Sequence, residues 1–332
     1  MHTFIRRPRM AAALGALAIC LAAIWVAVAT SNTSAASKAK TSQSLTKIEL
    51  IATQNAVAGV LEIGKKKGFF RKAGIDLSLN YRIPPANTNA ALLAGSAQMA
   101  QYNWGLQMSL VANGVPLKAV GQISTAVSKN CAKDDTQLAV LASSSIKSYK
   151  DIGGKKIGII APNGAVELSL RTKAAQLGVS QDQMKFATVP LPAMPGALRS
   201  GQVDAAMFIE PWVQIAKRQG LKLRLLNVSI CSMMRGAPSA NVITTERFKK
   251  SNPKAVANFR KALNQSTAYV AKNPNQLRAI LPGILQQPKS VTSKANLPVF
   301  TSKIDRKKLQ RFADIYYRYK KTRRKVNVNE LF

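Results

Sequence analysis

The chain has 332 residues, with 49 Lys and Arg against 14 Asp and Glu, so its formal net charge at pH 7 is +35. This length is enough for two domains with separate hydrophobic cores. The only histidine is His2, which lies in a segment that export would remove. Without an imidazole, Ser-His-Asp catalysis, Cys-His catalysis and His-ligated metal sites are excluded. We therefore expect a protein that is not an enzyme and that needs no cofactor.

The N-terminal residues have the pattern of an export signal. Three arginines among the first nine residues precede an apolar run of 20 residues, Met10–Ala29, and small residues follow it. We predict a signal peptide over residues 1–36, cleaved after Ala29 or Ala36, and a disordered leader over residues 37–46. The apolar run is also long enough to span a bilayer, so an uncleaved anchor is the alternative. The expected location is the periplasm or the outer face of the cytoplasmic membrane.

Strands and helices alternate after the leader. Strands are predicted at Lys47–Ala52 and Asp76–Tyr81, and the helix between them ends at Gly68. A rigid Pro84-Pro85 loop and the helix Asn89–Ala94 then lead into a third apolar segment. This β-α-β-α-β order requires right-handed crossovers and mostly parallel strands.

A second series of the same kind begins near residue 155. Strands are predicted at Lys155–Ile160 and Lys185–Pro190, with the helix Val166–Gln176 between them. A closing strand follows at Leu221–Leu226, and from Asn252 onward the pattern is helical. The two series predict two α/β lobes.

Two stretches of the chain resemble each other. Ala91–Trp104 reads ALLAGSAQMAQYNW, and Ala197–Trp212 reads ALRSGQVDAAMFIEPW, so that Gly95 aligns with Gly201. A separation this long is incompatible with a solenoid and indicates two lobes of similar build. Each copy ends in polar and aromatic residues at a strand end, which is where ligands bind in open α/β sheets. Chance similarity of two Ala- and Gly-rich helix ends is the alternative.

Four stretches carry a resemblance to a known family. They are Gly64–Ile75 (GKKKGFFRKAGI), Ala91–Gln98 (ALLAGSAQ), Ser148–Gly158 (SYKDIGGKKIG) and Gly201–Trp212 (GQVDAAMFIEPW). Together they resemble the ABC-transporter substrate-binding proteins of the sulfonate-, nitrate- and taurine-binding family, which is related to the thiamine-pyrimidine proteins. The match spans about residues 47–250. Gln98 departs from the family, which has an acid there, whereas Asp204 keeps the acid in the second copy.

The resemblance implies an α/β, two-lobe, type II periplasmic-binding-protein fold, with a mostly parallel sheet in each lobe and a ligand cleft between the lobes. Lobe 1 is expected over residues 47–142 and 233–332, and lobe 2 over residues 143–232. The implied function is the solute-binding component of an ABC importer. Such a protein captures a small anionic or sulfonated compound, such as a sulfonate, taurine or nitrate, by hinge closure and delivers it to a membrane permease. We expect a monomer that does not bind nucleic acid.

Three predicted helix starts lie at strand ends, where free N–H groups and the positive end of the helix favour anions. The residues expected to bind the ligand there are Gln54, Asn55, Asn87, Thr88, Asn163, Gly164 and Ala165. Ordinary N-capping is the alternative role of Asn55 and Asn163.

The two repeat ends complete the predicted ligand-binding set with Tyr102, Asn103, Trp104, Phe208, Glu210 and Trp212. The aromatic residues are expected to wall the cleft, and core packing is their alternative role. Glu210 either accepts a hydrogen bond from a ligand amine or pairs with a nearby lysine.

Three further questions stay open from the sequence. The same fold can instead bind a planar heteroaromatic compound such as a thiamine-type pyrimidine, stacked between Trp104 and Trp212. A protein of another class would bind polyanions through the basic face of the helix Asp305–Tyr319. Export places Cys131 and Cys231 where they can form a disulfide, and two buried free thiols are the alternative.

Overall fold

The computed structural model describes residues 44–332. The predicted signal peptide and the leader up to residue 43 lie outside the described residues, and the leader's last predicted residue, Thr46, already begins the first strand. Within residues 44–332, no helix combines the length and the apolar character needed to cross a bilayer.

The elements of the first half begin with the predicted alternation. They are β1 (Thr46–Ile51), α1 (Ala58–Lys66), α2 (Phe69–Lys72), β2 (Ile75–Asn80), α3 (Thr88–Ala94), β3 (Met99–Asn103), α4 (Trp104–Ala112), β4 (Leu117–Gln122), β5 (Ser124–Thr125), β6 (Thr136–Leu141), β7 (Lys156–Ile159) and α5 (Ala165–Gln176). They alternate as predicted as far as α4, after which four strands follow before α5.

The second half continues the alternation and then becomes helical. Its elements are β8 (Lys185–Thr188), α6 (Met194–Arg199), β9 (Ala205–Ile209), α7 (Trp212–Arg218), β10 (Leu223–Leu225), α8 (Ile230–Met233), β11 (Ala240–Thr245), α9 (Glu246–Ser251), α10 (Pro253–Lys272), α11 (Pro274–Leu285), α12 (Lys289–Thr292), β12 (Val299–Phe300) and α13 (Arg306–Arg318).

The strands form two five-stranded sheets of the same design. The first has the order β2-β1-β3-β11-β4, and the second has the order β10-β6-β9-β7-β8. In each sheet four strands point the same way and one runs against them, β11 in the first and β6 in the second. The two-lobe α/β prediction is confirmed.

The aligned glycines of the sequence repeat occupy equivalent turns. Gly95 follows α3 with φ 81° and leads into β3, while Gly201 follows α6 with φ 74° and leads into β9. A left-handed residue after a helix suits glycine because it has no Cβ to clash with the backbone. β3 and β9 occupy the same position in their respective sheets.

Strand β6 lies in the second sheet, although the predicted boundary at residue 142 assigns it to lobe 1. It pairs antiparallel with β9 and β10, for example Thr136 with Ile209 and Leu141 with Leu223. The chain therefore passes from the first sheet to the second before Thr136 and returns between Leu225 and Ala240. An apolar strand looks the same in either sheet, because its partners are distant in the sequence.

A disulfide fastens the two passages between the sheets to each other. Cys131 lies in the outgoing passage and Cys231 in the returning one, and their Cα atoms are 5.3 Å apart. Beside it, the Asp134 carboxylate accepts hydrogen bonds from the backbone N–H groups of Cys231 and Val127, at 2.9 and 3.2 Å. The covalent bond and the carboxylate together tie the crossings into one unit.

The C-terminal helix α13 covers core residues of both sheets. Leu309, Phe312 and Tyr316 on its apolar face are fully buried and pack in one cluster with Trp104 and with strand residues of the second sheet. The long helix α10 packs against α1 and the first sheet. The two C-terminal helices therefore have different roles, one confined to the first sheet and one bridging the sheets.

Candidate functional site

Most of the predicted ligand-binding residues lie at the carboxyl ends of parallel strands. In the first sheet they follow β1, β2 and β3, and in the second sheet they follow β7 and β9. This edge is the usual ligand site of open α/β sheets. The side chains gathered there differ in what they contact.

Asn55 is committed to the start of helix α1. Its Oδ1 accepts hydrogen bonds from the backbone N–H groups of Val57 and Ala58, at 3.0 and 3.2 Å, and from the Gln101 side chain at 3.0 Å. Asn55 is therefore a buried residue in its alternative role as a helix cap. Its neighbour Gln54 is exposed at the edge of the sheet. Sequence reasoning missed Gln101, whose signal is a polar residue inside the apolar strand β3.

The turn after β2 leaves one predicted residue exposed and buries the other. A short 3-10 turn, Pro85–Asn87, ends with Asn87 exposed, and Thr88 then begins α3 as a buried residue. The Tyr102 hydroxyl donates to Oδ1 of Asn89 at 2.9 Å. Burial raises the pKa of Tyr102 to about 12. Tyr102 is thus held as a neutral phenol against α3.

Asn103 and Trp104 begin helix α4. The Asn103 side chain accepts from the backbone N–H of Leu106 at 2.8 Å and so caps the helix. Trp104 has no exposed surface, and its ring lies 5.6 Å from the ring of Phe332.

The expectation that Trp104 and Phe208 wall the cleft is wrong. Both are 0% exposed, Trp104 under the C-terminal segment and Phe208 inside the second sheet's core. The sequence pattern shows an aromatic residue at a strand end but not what covers it. Stacking of a planar ligand between Trp104 and Trp212 is excluded because Trp104 has no free face.

A carboxylate of the protein itself occupies the start of helix α5. The backbone N–H of Asn163 donates to Oε2 of Glu167 at 2.7 Å. The Glu167 carboxylate also pairs with Arg171 at 2.7 Å and with Lys321 at 2.5 Å. Asn163 is exposed with φ 59°, whereas Gly164 and Ala165 are buried.

Glu167 is charged despite its burial. Burial alone would raise its pKa, but hydrogen bonds from Lys321, from the backbone of Asn163 and from Arg171 together lower the pKa below its usual value. Sequence reasoning missed this residue. Its signal is an acid in the first turn of a helix, where the positive helix end favours negative charge.

Glu210 and Trp212 follow β9 and have unpaired polar atoms. Glu210 is 2% exposed, and its Oε1 accepts from Gln214 at 2.9 Å, while its Oε2 has no hydrogen-bond partner among the described residues. Within the same residues, the indole N–H of the half-buried Trp212 is also without an acceptor. No lysine described in the structure lies within ion-pair distance of Glu210. The alternative in which Glu210 pairs with a lysine is therefore not seen among these residues.

Buried carboxyl groups gather at this end of the second sheet. The Glu210 backbone N–H donates to the carbonyl of Asp135 at 2.7 Å, and Asp134 comes directly before it. Burial raises the pKa of Glu210 to about 7, against the lowering effect of the hydrogen bond from Gln214.

Asp135 shares this environment. Its burial, and then the charges of Asp134 and Glu210, hold the pKa of Asp135 well above its usual range. The sequence signal that was missed is a pair of acids directly before an apolar strand, in a chain with only 14 acids. Among residues 44–332, no group of three or more His, Cys, Asp and Glu is arranged to hold a metal ion.

Two sequence relatives bear different names. A putative thiamine biosynthesis protein from Haemophilus influenzae is 25% identical over 266 residues, covering 76% of this chain and 80% of that protein. A 4-amino-5-hydroxymethyl-2-methylpyrimidine phosphate synthase from Candida albicans is 22% identical over 221 residues, covering 63% of this chain. This chain spans 62% of the length of that synthase.

Two solved structures share the fold over more than four fifths of their length. The periplasmic aliphatic sulphonate binding protein SsuA from Escherichia coli has a TM-score of 0.68 at 17% identity, covering 86% of this chain and 97% of that one. The periplasmic nitrate-binding protein NrtA from Synechocystis PCC 6803 has a TM-score of 0.68 at 16% identity, covering 83% and 82%. The chain thus has the fold of periplasmic binding proteins.

The family model described as NMT1/THI5 like matches residues 55–277, which form most of the two sheets and their helices. The chain therefore belongs to the NMT1/THI5-like family.

Proposed function

We propose that this chain is the exported solute-binding component of an ABC importer. It captures a small anionic or sulfonated compound, such as a sulfonate, taurine or nitrate, and delivers it to a membrane permease. The observation that carries the proposal is the pairing of two sheets with the same strand order, each with a helix start after its parallel strands. The names of the structural neighbours, sulphonate-binding and nitrate-binding proteins, support it.

The proposed mechanism is closure of the two lobes on the ligand, without making or breaking a covalent bond. The two passages between the sheets act as the hinge, and the Cys131–Cys231 disulfide keeps them side by side. Ligand binding shifts the population toward the closed state because only that state contacts the ligand from both lobes.

Four of the predicted positions are the ligand contacts in this proposal. Gln54 and Asn87 are exposed at the edge of the first sheet, whereas the unpaired polar atoms of Glu210 and Trp212 at the edge of the second are buried and must be uncovered before a ligand reaches them. Asn55 and Asn103 serve as helix caps behind this surface. The ligand would thus be held by polar groups from both lobes.

A planar pyrimidine is the second candidate ligand, and a specific observation favours it. The Glu210 Oε2 atom lacks a donor and the Trp212 indole N–H lacks an acceptor among the described residues. An aminopyrimidine offers both donors and acceptors, whereas nitrate and a sulfonate without an amino group offer acceptors only; taurine, whose ammonium group donates, is not distinguished from the pyrimidine by this observation. The relative named as a putative thiamine biosynthesis protein is consistent with this candidate.

A thermal-shift screen of the protein separates the candidates. Ethanesulfonate, taurine, nitrate and 4-amino-5-hydroxymethyl-2-methylpyrimidine are each added at increasing concentration. A ligand at one hundred times its Kd adds about 2.7 kcal/mol of stability, which raises Tm by several degrees. A shift with the anions supports the leading proposal, and a shift with the pyrimidine alone supports the second. No shift with any compound contradicts both.

The same screen tests whether the protein acts without turnover. After incubation the bound compound is released by denaturation and its mass is measured. We expect the compound to be recovered unchanged. Recovery of a chemically altered pyrimidine would contradict the binding proposal and favour an enzyme.

A further inference from the structure

The turn after α13 lines a cavity that the proposed cleft does not use. The cavity has a volume of about 650 Å³ and lies between the end of α4, the start of α5 and the segment 317–323. Asn163 is its one lining residue from the set predicted to bind the ligand. The cavity is therefore built largely from residues that the proposed function leaves without a role.

The charge of this cavity is strongly positive. Arg318, Lys320, Lys321 and Arg323 line it, and no acidic residue does. Lys321 pairs with Glu167, but the exposed Arg318, Lys320 and Arg323 have no carboxylate within 4.0 Å in the described part of the chain. Like charges this close along the chain repel each other and destabilise the segment. A bound anion would relieve that repulsion.

The cationic segment is held in place. Helix α13 ends at Arg318, Lys320 has φ 54°, and the Lys321 N–H returns to the carbonyl of Tyr316 at 2.8 Å. The Lys321 carbonyl accepts from the Ser109 hydroxyl at 3.0 Å, and its ammonium group contacts Glu167. Contacts with α4 and α5 thus set the turn before any ligand arrives, which lowers the entropic cost of binding.

Two uncharged residues add to the site. Thr322 is 6% exposed, and its hydroxyl has no hydrogen-bond partner among residues 44–332. Tyr317 lines the cavity with a side chain that is 41% exposed, which is rare for an aromatic residue in this chain. A hydroxyl donor and an exposed aromatic ring, over which the Lys325 ammonium group lies 5.8 Å from the ring centroid, suit an oxyanion attached to an organic group.

We propose that this cavity, which none of the four proposed cleft contacts lines, is a second binding site for compounds that carry a phosphate-type group with two or more negative charges. Three unpaired cations within six residues exceed what a monovalent sulfonate or nitrate neutralises. Arginine binds such oxygens through paired N–H groups, and lysine adds a point charge. Free phosphate compounds and lipids with a phosphomonoester headgroup, such as phosphatidic acid, share this chemistry.

The test uses the full chain, purified in mild detergent, and two probes at constant ionic strength. Sodium tripolyphosphate represents a free phosphate compound in calorimetric titration. Vesicles that contain phosphatidic acid represent the lipid headgroup in a flotation assay, with vesicles of phosphatidylcholine, which has no net charge, as the reference. Binding of tripolyphosphate assigns a free ligand, and binding of phosphatidic acid vesicles alone assigns a lipid surface.

The variant R318Q/K320Q/R323Q removes the unpaired cations, none of whose side chains donates a hydrogen bond within the described structure. The matched control K65Q/K66Q/R71Q removes the same charge from exposed residues on α1 and α2. We expect the first variant to bind the probe at least about tenfold more weakly, and the control to bind like the wild type, because charge-assisted hydrogen bonds are lost only in the first. Equal loss in both variants, or no binding of either probe by the wild type, overturns the proposal.

The same variant without a probe provides a second measurement. Relief of repulsion predicts that R318Q/K320Q/R323Q has a higher Tm than the wild type in the absence of anions. Tripolyphosphate is expected to raise the Tm of the wild type and not that of the variant. A variant that is destabilised, and still gains Tm from tripolyphosphate, contradicts the site.

Discussion

The carboxylate of Glu167 lies 2.5 Å from the ammonium nitrogen of Lys321, joining helix α5 of the second sheet to the turn after α13. The same carboxylate accepts the backbone N–H of Asn163, the residue expected from the sequence to cradle a ligand anion. The protein thus fills part of this helix start with its own negative charge. Any ligand anion must bind beside that charge and not in its place.

Replacing Glu167 with glutamine should destabilise the protein. The change removes the charge that faces Lys321 and Arg171, and Lys321 is largely buried. Leaving a buried cation without its partner costs about 2 kcal/mol or more, measured as the free energy of unfolding in urea. The control Glu246→Gln breaks the exposed pair with Lys250 and should cause no measurable change. Equal stability of both variants would show that the contact between Glu167 and Lys321 does not contribute to the free energy of unfolding.

Loss of the proton from Glu210 should lower the stability of the protein as the pH rises. Its pKa is about 7 in the folded protein against 4.5 for the unperturbed group, so the folded state binds the proton more tightly. The stabilisation is complete below the unfolded pKa and is lost as the pH rises through the folded pKa. The loss between pH 4.5 and above pH 7 is on the order of 3 kcal/mol.

The variant Glu210→Gln isolates this effect, because glutamine mimics the protonated side chain at every pH. Unfolding free energies of both proteins are measured from pH 4.5 to 8.5. The unfolding free energy of the variant should increase relative to that of the wild type as the pH rises. A constant difference across that range would mean that Glu210 does not titrate there.

Removal of the disulfide should lower stability substantially. Cys131 and Cys231 are separated by 100 positions in the sequence. Closing a loop of that length reduces the entropy of the unfolded chain by an amount worth about 4 to 5 kcal/mol. The double variant C131A/C231A is compared with the wild type by denaturation in guanidinium chloride. Addition of dithiothreitol to the wild type should reproduce the loss, and an unchanged wild type would contradict it.

Alanine at Gly105 should be poorly tolerated. A Cβ there would lie 1.6 Å from the hydroxyl oxygen of the fully buried Tyr316, so α4 and α13 would have to separate. We expect a loss of about 3 kcal/mol from overpacking. The control Gly196→Ala lies in helix α6 with nothing within 4 Å of the new Cβ. It should gain about 0.5–1 kcal/mol because alanine favours helix. The Tm values of the two variants, measured by thermal unfolding, test both expectations.

Trp212→Ala should remove the response to the cleft ligand without unfolding the protein. Trp212 is partly exposed and its indole N–H is unpaired within the described residues, so the folded core does not depend on it as it does on Trp104. The control Tyr317→Ala removes an exposed aromatic residue outside the proposed cleft contacts. The ligand that raises Tm in the wild type should do so in Y317A and fail in W212A. A full response in W212A would remove Trp212 from the site.

Local order along the chain could be predicted from the sequence. The helical pattern from Asn252 onward agrees with the observed α10, Pro253–Lys272, and the predicted basic helix Asp305–Tyr319 agrees with the observed Arg306–Arg318. The repeat around Gly95 and Gly201 indicated two similar lobes, because a helix end, a left-handed glycine and a strand follow one another locally in both. These features depend on neighbours within a few residues, so the sequence contains them directly.

Only the tertiary structure decided which side chains are free. Trp104 and Trp212 look alike in the sequence, yet a C-terminal segment more than two hundred residues away buries the first. The sheet to which β6 belongs, the Glu167–Lys321 pair and the buried acids Asp135 and Glu210 likewise depend on distant partners. Burial and charge pairing are set by contacts in space, and periodicity along the chain does not record which distant residue provides them.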